Sequence, residues 1–158
     1  MGIVYEQEMK KVVLQNSFLE EVASLLREGQ TVRIRIDGMS MHPFINGGID
    51  EVELLPYDKE NSQLECWQCA FFRWKGHYMV HRFIGKEGNK YCMMGDGNLA
   101  QIETVEENEL FGVLKTIYRP DGSIQDCSDK RWLRKGKYWY KLRFFRRFLL
   151  PLYRRFVN

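Results

Sequence analysis

The chain has 158 residues, 44% of them hydrophobic and 14% aromatic, which suffices for one domain with a buried core and excludes a disordered chain. Its net charge of +3 conceals a division: residues 1–129 hold 13 Lys/Arg against 21 Asp/Glu, whereas residues 130–158 hold 11 Lys/Arg and no acid. A basic end on an acidic body points to a polyanionic partner surface.

No stretch reads as a membrane span. The longest run without a charged residue is the 12-residue segment Gly38–Ile49, rich in glycine and broken by Pro43; a spanning helix needs about 20 apolar residues. Met1–Glu8 is acidic too early for a secretory signal, so cytoplasmic residence is the expectation.

In chain order, residues 5–28 read as an amphipathic helix. Met9, Val12, Leu19, Val22 and Leu26 recur at helical spacing, Ser17 and Glu20 suggest a capping-box break, and Gly29 a stop. Packing on the domain is the simpler role for this helix; a partner is the alternative. Thr31–Ile36 alternates as a strand with one buried face, and Gly38 ends it. Asp50–Pro56, Cys69–Trp74, Tyr78–Ile84, Lys90–Met94 and Leu110–Arg119 read as further strands, with Lys75-Gly76-His77 turning one hairpin. Frequent turns between short strands predict a mainly β chain: a compact antiparallel β-fold with flanking helices. The expected division is an N-terminal helical segment (1–29), a β domain (30–119) and a basic amphipathic C-terminal tail (120–158).

Cys66-Trp67-Gln68-Cys69 has the spacing of redox and zinc sites, but neither a second such pair nor clustered histidines accompanies it. With Cys66–Phe72 read as a buried strand, the cysteines are expected to be reduced core thiols. No metal or cofactor is expected.

In the tail, Tyr138, Leu142, Phe145, Leu149, Leu152 and Phe156 form one helical stripe with Arg143, Arg147 and Arg154 opposite, and Pro151 is expected to kink the helix. Aromatics on one face and arginines on the other suit an interfacial helix on an anionic membrane, through residues 138–158. A helix packed on the domain with a solvated basic face is the alternative. Nucleic acid is disfavoured, since the basic residues sit beside bulky aliphatics rather than in a stacking array.

Ser40 lies just beyond the first strand, between Met39 and Met41, in a segment stiffened by Pro43. A serine hydroxyl needs a base to become a nucleophile. The histidines are His42, His77 and His81. His42 is expected to point away from Ser40 and His77 to sit in a turn, whereas strand alternation aims His81 at the Ser40 segment. An imidazole with a pKa near 6.5 suits proton abstraction at neutral pH.

Ser40-Met41-His42-Pro43-Phe44 resembles the Ser-Met-x-Pro box of the signal peptidase I and LexA-like serine peptidase superfamily. Val80-His81-Arg82-Phe83-Ile84 is similar to the box carrying its general base, and Gly95-Asp96-Gly97-Asn98 to the Gly-Asp-x-Asn box that follows. The order and spacing agree across about residues 30–119. Some relatives pair the serine with lysine; endoplasmic-reticulum and archaeal signal peptidases have histidine in a Val-His-Arg context, as here. The resemblance implies Ser40 as nucleophile, His81 as base, the Ser40 backbone N–H as oxyanion donor, and a leader or signal-like peptide as substrate, with a small residue before the cut.

The chain departs from that pattern at three places. Gly38 stands where some members carry an assisting serine. The Gly-Asp after the serine box is displaced to Gly48-Ile49-Asp50. The position of the acid that orients the histidine falls at Ile102. Asp96 is the first choice for that acid and the neighbouring Glu103 the alternative. Self-cleavage of the LexA type is disfavoured, because the chain contains no Ala-Gly or Cys-Gly bond. A peptide-binding module without catalysis and a membrane-associated structural protein are the competing readings.

Overall fold

The computed structural model describes residues 2–157, with side chains from Gln15 onward. Helix α1 (Gly2–Arg27) opens the chain and buries Val22, Ala23 and Leu26. It runs unbroken through Ser17 and Glu20, whose side chains point to solvent, so the predicted capping break does not form. The side chains of Met9 and Val12 lie outside the described residues. The helix ends as Gly29 implies: Gly29 N–H donates to the Leu26 carbonyl and Gln30 N–H to the Leu25 carbonyl, both at 3.0 Å. This is the paired bonding of a Schellman cap.

Eight strands follow: β1 (Val32–Arg35), β2 (Glu51–Pro56), β3 (Cys69–Trp74), β4 (His77–Glu87), β5 (Lys90–Met94), β6 (Glu103–Val105), β7 (Leu110–Tyr118) and β8 (Ile124–Asp126). They form one antiparallel sheet in the order β1-β2-β7-β3-β4-β5-β6, with β8 on β7. Register shifts at Glu53/Leu54, Phe71/Phe72 and Phe83/Gly85 interrupt three of the ladders. Such bulges raise local twist, and the sheet curls into a half-barrel. The fold is mainly β with flanking helices, as the turn-rich pattern predicts.

Both faces of this sheet are covered. Phe71 and Phe72 are adjacent in β3, point to opposite faces and are both fully buried. Phe71 joins Leu26, Ile34, Val52, Phe111 and Trp132 beneath α1, and Phe72 joins Leu64, Phe83, Tyr91 and Met93 on the other side. Continuous burial along β3 follows from this double cover.

Three expectations change here. Cys66 is exposed in a turn where the next residue, Trp67, has φ +79°, so the strand begins at Cys69 and Cys66 is not a core thiol. Cys69 and Cys127 are buried, and burial pushes the Cys69 thiol pKa up to about 12. The basic segment is two helices rather than one: α2 (Lys130–Lys141) and α3 (Arg146–Val157), separated by a 3-10 turn at Arg143–Phe145. Pro151 lies inside α3 without ending it. The segment is also tied to the body, through β8 on β7 and through Trp132 of α2 in the core. Among the described residues no helix is long and apolar enough to cross a membrane.

Candidate functional site

Ser40 is presented by a chain reversal that two glycines permit. Gly38 has φ +91°, which lets the backbone turn sharply after β1. Gly48 N–H then donates to the Ile36 carbonyl at 2.7 Å, drawing the 46–48 turn under the strand end. There Gly47 lies so close to Gly38 that a Cβ would collide with the Gly38 backbone. The reversal leaves Ser40 half-buried, with neither its hydroxyl nor its backbone N–H engaged by another described residue.

The Gly95–Asn98 loop supports Ser40 from behind. Gly97 N–H donates to the Ser40 carbonyl at 2.7 Å. The loop is in turn gripped by the C-terminal helices. Buried Arg146 donates to the carbonyls of Gly95 (3.1 Å) and Asn98 (2.9 Å), and the Trp139 indole donates to the Asp96 carbonyl (2.7 Å). On the other side, the Tyr153 hydroxyl donates to Asn46 Oδ1 at 2.8 Å and to the Pro43 carbonyl at 3.3 Å. The basic segment therefore fixes the backbone on both sides of Ser40.

His81 of β4 is 4% exposed and Glu103 of β6 is fully buried. Glu103 pairs with Met93, Met93 with Phe83, and Phe83 lies two residues beyond His81, so all four side chains share one face of the sheet. On that face His81 Nδ1 and Glu103 Oε2 are 2.9 Å apart, while Gln101 donates to Glu103 Oε1 at 3.0 Å. A carboxylate at Nδ1 makes that nitrogen the donor and leaves Nε2 as the acceptor. Phe72 meets the ring edge-on at 5.9 Å and limits its rotation.

Asp96, expected first as the acid on the histidine, is engaged elsewhere. Its carboxylate accepts a bidentate pair from Arg82, Nε to Oδ1 at 2.8 Å and a terminal nitrogen to Oδ2 at 2.6 Å. The strand explains the exchange: Arg82 follows His81 and therefore points to the opposite face, where the 95–98 loop lies. Arg82 also donates to the Trp67 carbonyl and faces the Phe44 ring at 4.9 Å. Burial disfavours its charge, and the Asp96 carboxylate more than offsets that, so its pKa stands above the ordinary value. Glu103, the alternative, is the residue that meets His81.

Ser40 and His81 line one cavity of about 560 Å³. Among the described residues no hydrogen bond joins the two side chains. Leu19, Ile36, Phe71 and Val80 supply apolar wall, with Arg35 and Asp37 beside Ser40. The other histidines lie apart from this cavity. His77 is exposed at the start of β4, and His42 is buried edge-on to Tyr153 at 5.5 Å. Among the described residues no three His, Cys, Asp or Glu side chains converge as metal ligands.

The sequence pattern marks neither Trp139 nor Arg146 as a support of the site. Arg82 was signalled by its place next to His81, since adjacent strand residues serve opposite faces. Arg146 carried no such signal, because an arginine among many reads as solvated until its burial is seen. No family model matches the chain, and no curated protein matches it.

Proposed function

We propose that the chain is a serine endopeptidase of the signal peptidase and LexA-like kind, cutting a leader or signal-like peptide. The observation that carries this reading is the buried His81–Glu103 hydrogen bond at the wall of the cavity that Ser40 also lines. In this mechanism Glu103 holds His81 with Nδ1–H as donor, so Nε2 takes the proton from Ser40 Oγ as the oxygen attacks the scissile carbonyl. The Ser40 backbone N–H, free of other described partners, donates to the developing oxyanion. His81 then returns the proton to the departing amine, and a water activated by the same imidazole hydrolyses the acyl-enzyme. The apolar wall beside Ser40 receives the small residue preceding the cut. A leader-peptide library with small residues at that position tests the reading: the wild type cleaves it and Ser40→Ala does not. Equal processing by Ser40→Ala removes the mechanism.

A second reading has one observation in its favour. Strand β1 is the outer strand of the sheet and, among the described residues, is bonded within it only to β2, so its other edge can receive an extended peptide beside the cavity. In a binding module of this kind, peptide affinity persists in both Ser40→Ala and His81→Ala and no cleavage accompanies it.

A further inference from the structure

Helix α3 is packed the wrong way round for a helix that serves only the fold. Its buried face is formed by Arg146 and Leu150, each 1% exposed, and by Tyr153, which reaches Pro43 and Asn46. Its solvent face carries the large apolar side chains. Phe148 is 67% and Phe156 82% exposed, with Leu152 between them, and Phe145 extends the row backwards at helical spacing. Phe144 of the 3-10 turn is exposed beside them. A helix stabilised by its own domain buries such a stripe; this one displays it.

The charges around the stripe are of one sign. Arg147 and Arg155 are exposed on the same helix, and residues 130–158 contain no acid at all. Arginines also lie against the exposed rings, Arg143 at 4.4 Å from the Phe144 centroid and Arg147 at 5.4 Å from that of Phe148. Exposed phenylalanines among uncompensated arginines match the boundary of an anionic bilayer, where rings enter the acyl region and guanidinium groups stay with the headgroups. A second copy of this chain would set like charge against like at this face, since residues 130–158 contain no acid.

We propose that the exposed face of α3 and of the 3-10 turn before it docks on an anionic lipid surface. The opposite face of α3 holds the Gly95–Asn98 loop and the Pro43–Asn46 segment. Docking therefore holds the backbone that supports Ser40 one helix away from the lipid, and, on the peptidase reading above, the substrate is a peptide segment presented at that surface.

Co-sedimentation of the full chain with phosphatidylcholine vesicles, with and without phosphatidylserine, tests the docking independently of catalysis. The wild type binds the phosphatidylserine vesicles, and binding falls as salt rises. Arg147→Glu with Arg155→Glu, and separately Phe148→Ser with Phe156→Ser, each weaken binding more than about tenfold. All four positions are exposed, and an unchanged melting temperature verifies that each variant is folded. Equal binding by variants and wild type overturns the proposal. So does self-association that the same substitutions abolish in the absence of vesicle binding, which assigns the face to a second copy. Loss of peptidase activity in Ser40→Ala with vesicle binding intact separates the two claims.

Discussion

Gly97 donates its backbone N–H to the carbonyl of Ser40 at 2.7 Å, and the approach is close enough that a Cβ on Gly97 would collide with the Met39 carbonyl. The residue presenting the hydroxyl and the loop that backs it are thus in backbone contact. Gly97→Ala is expected to displace Ser40, because the colliding atoms are backbone and one of the two segments has to move. Its acylation by a serine-directed probe falls by about a hundredfold, the scale of a 1 Å misplacement at a reacting centre, and the melting temperature falls with it. Unchanged acylation would show that the loop does not position the serine.

The two candidate acids are separable by experiment. Glu103→Gln removes the carboxylate that selects the His81 tautomer, and activity falls about 10²–10⁴-fold with the fold retained. Asp96→Ala leaves the buried Arg82 without its partner and costs about 3–5 kcal/mol of stability. Urea unfolding read beside turnover distinguishes the catalytic loss from the structural one.

Gly136 of α2 lies against the Arg82 guanidinium, and a Cβ there would overlap its terminal nitrogen. Gly136→Ala should therefore destabilise the protein by about 1–3 kcal/mol by overpacking, despite the better helix propensity of alanine. A lower urea midpoint supports this; a raised one would mean that the helix moves aside freely.

His42 gives a pH signature. Burial lowers its pKa below 6.5, Arg154 lowers it further and Asp50 opposes them in part; Tyr153 packs on the ring. The folded state thus binds fewer protons than the unfolded state between the lowered value and 6.5. Stability rises with pH in that window and is lost as pH falls through it. The urea midpoint of the wild type should drop there more steeply than that of His42→Gln; parallel profiles would refute the assignment.

Much of the fold was legible because its signals are local. Strands β3 and β5 begin and end where their apolar runs do, and the Gly29 cap is written in one residue. Ser40 and His81 were marked by the motifs around them. The partner of His81 was marked only as the alternative to Asp96: Glu103 occupies a three-residue strand, too short to show alternation, and its place beside the histidine comes from register across β5 to β4. The burial of Arg146 was equally hidden, since it depends on where α3 meets the 95–98 loop. Helical spacing alone marked an amphipathic tail but read it as one helix with a kink at Pro151, whereas the chain turns at Arg143–Phe145.

Mass spectrometry of the protein after treatment with a serine-directed acylating probe decides whether Ser40 is a nucleophile served by His81 and Glu103. A single adduct on Ser40 is expected, formed far more slowly in Glu103→Gln and absent in His81→Ala. A folded wild type that forms no adduct, or one whose adduct forms as fast without the histidine, would refute the mechanism.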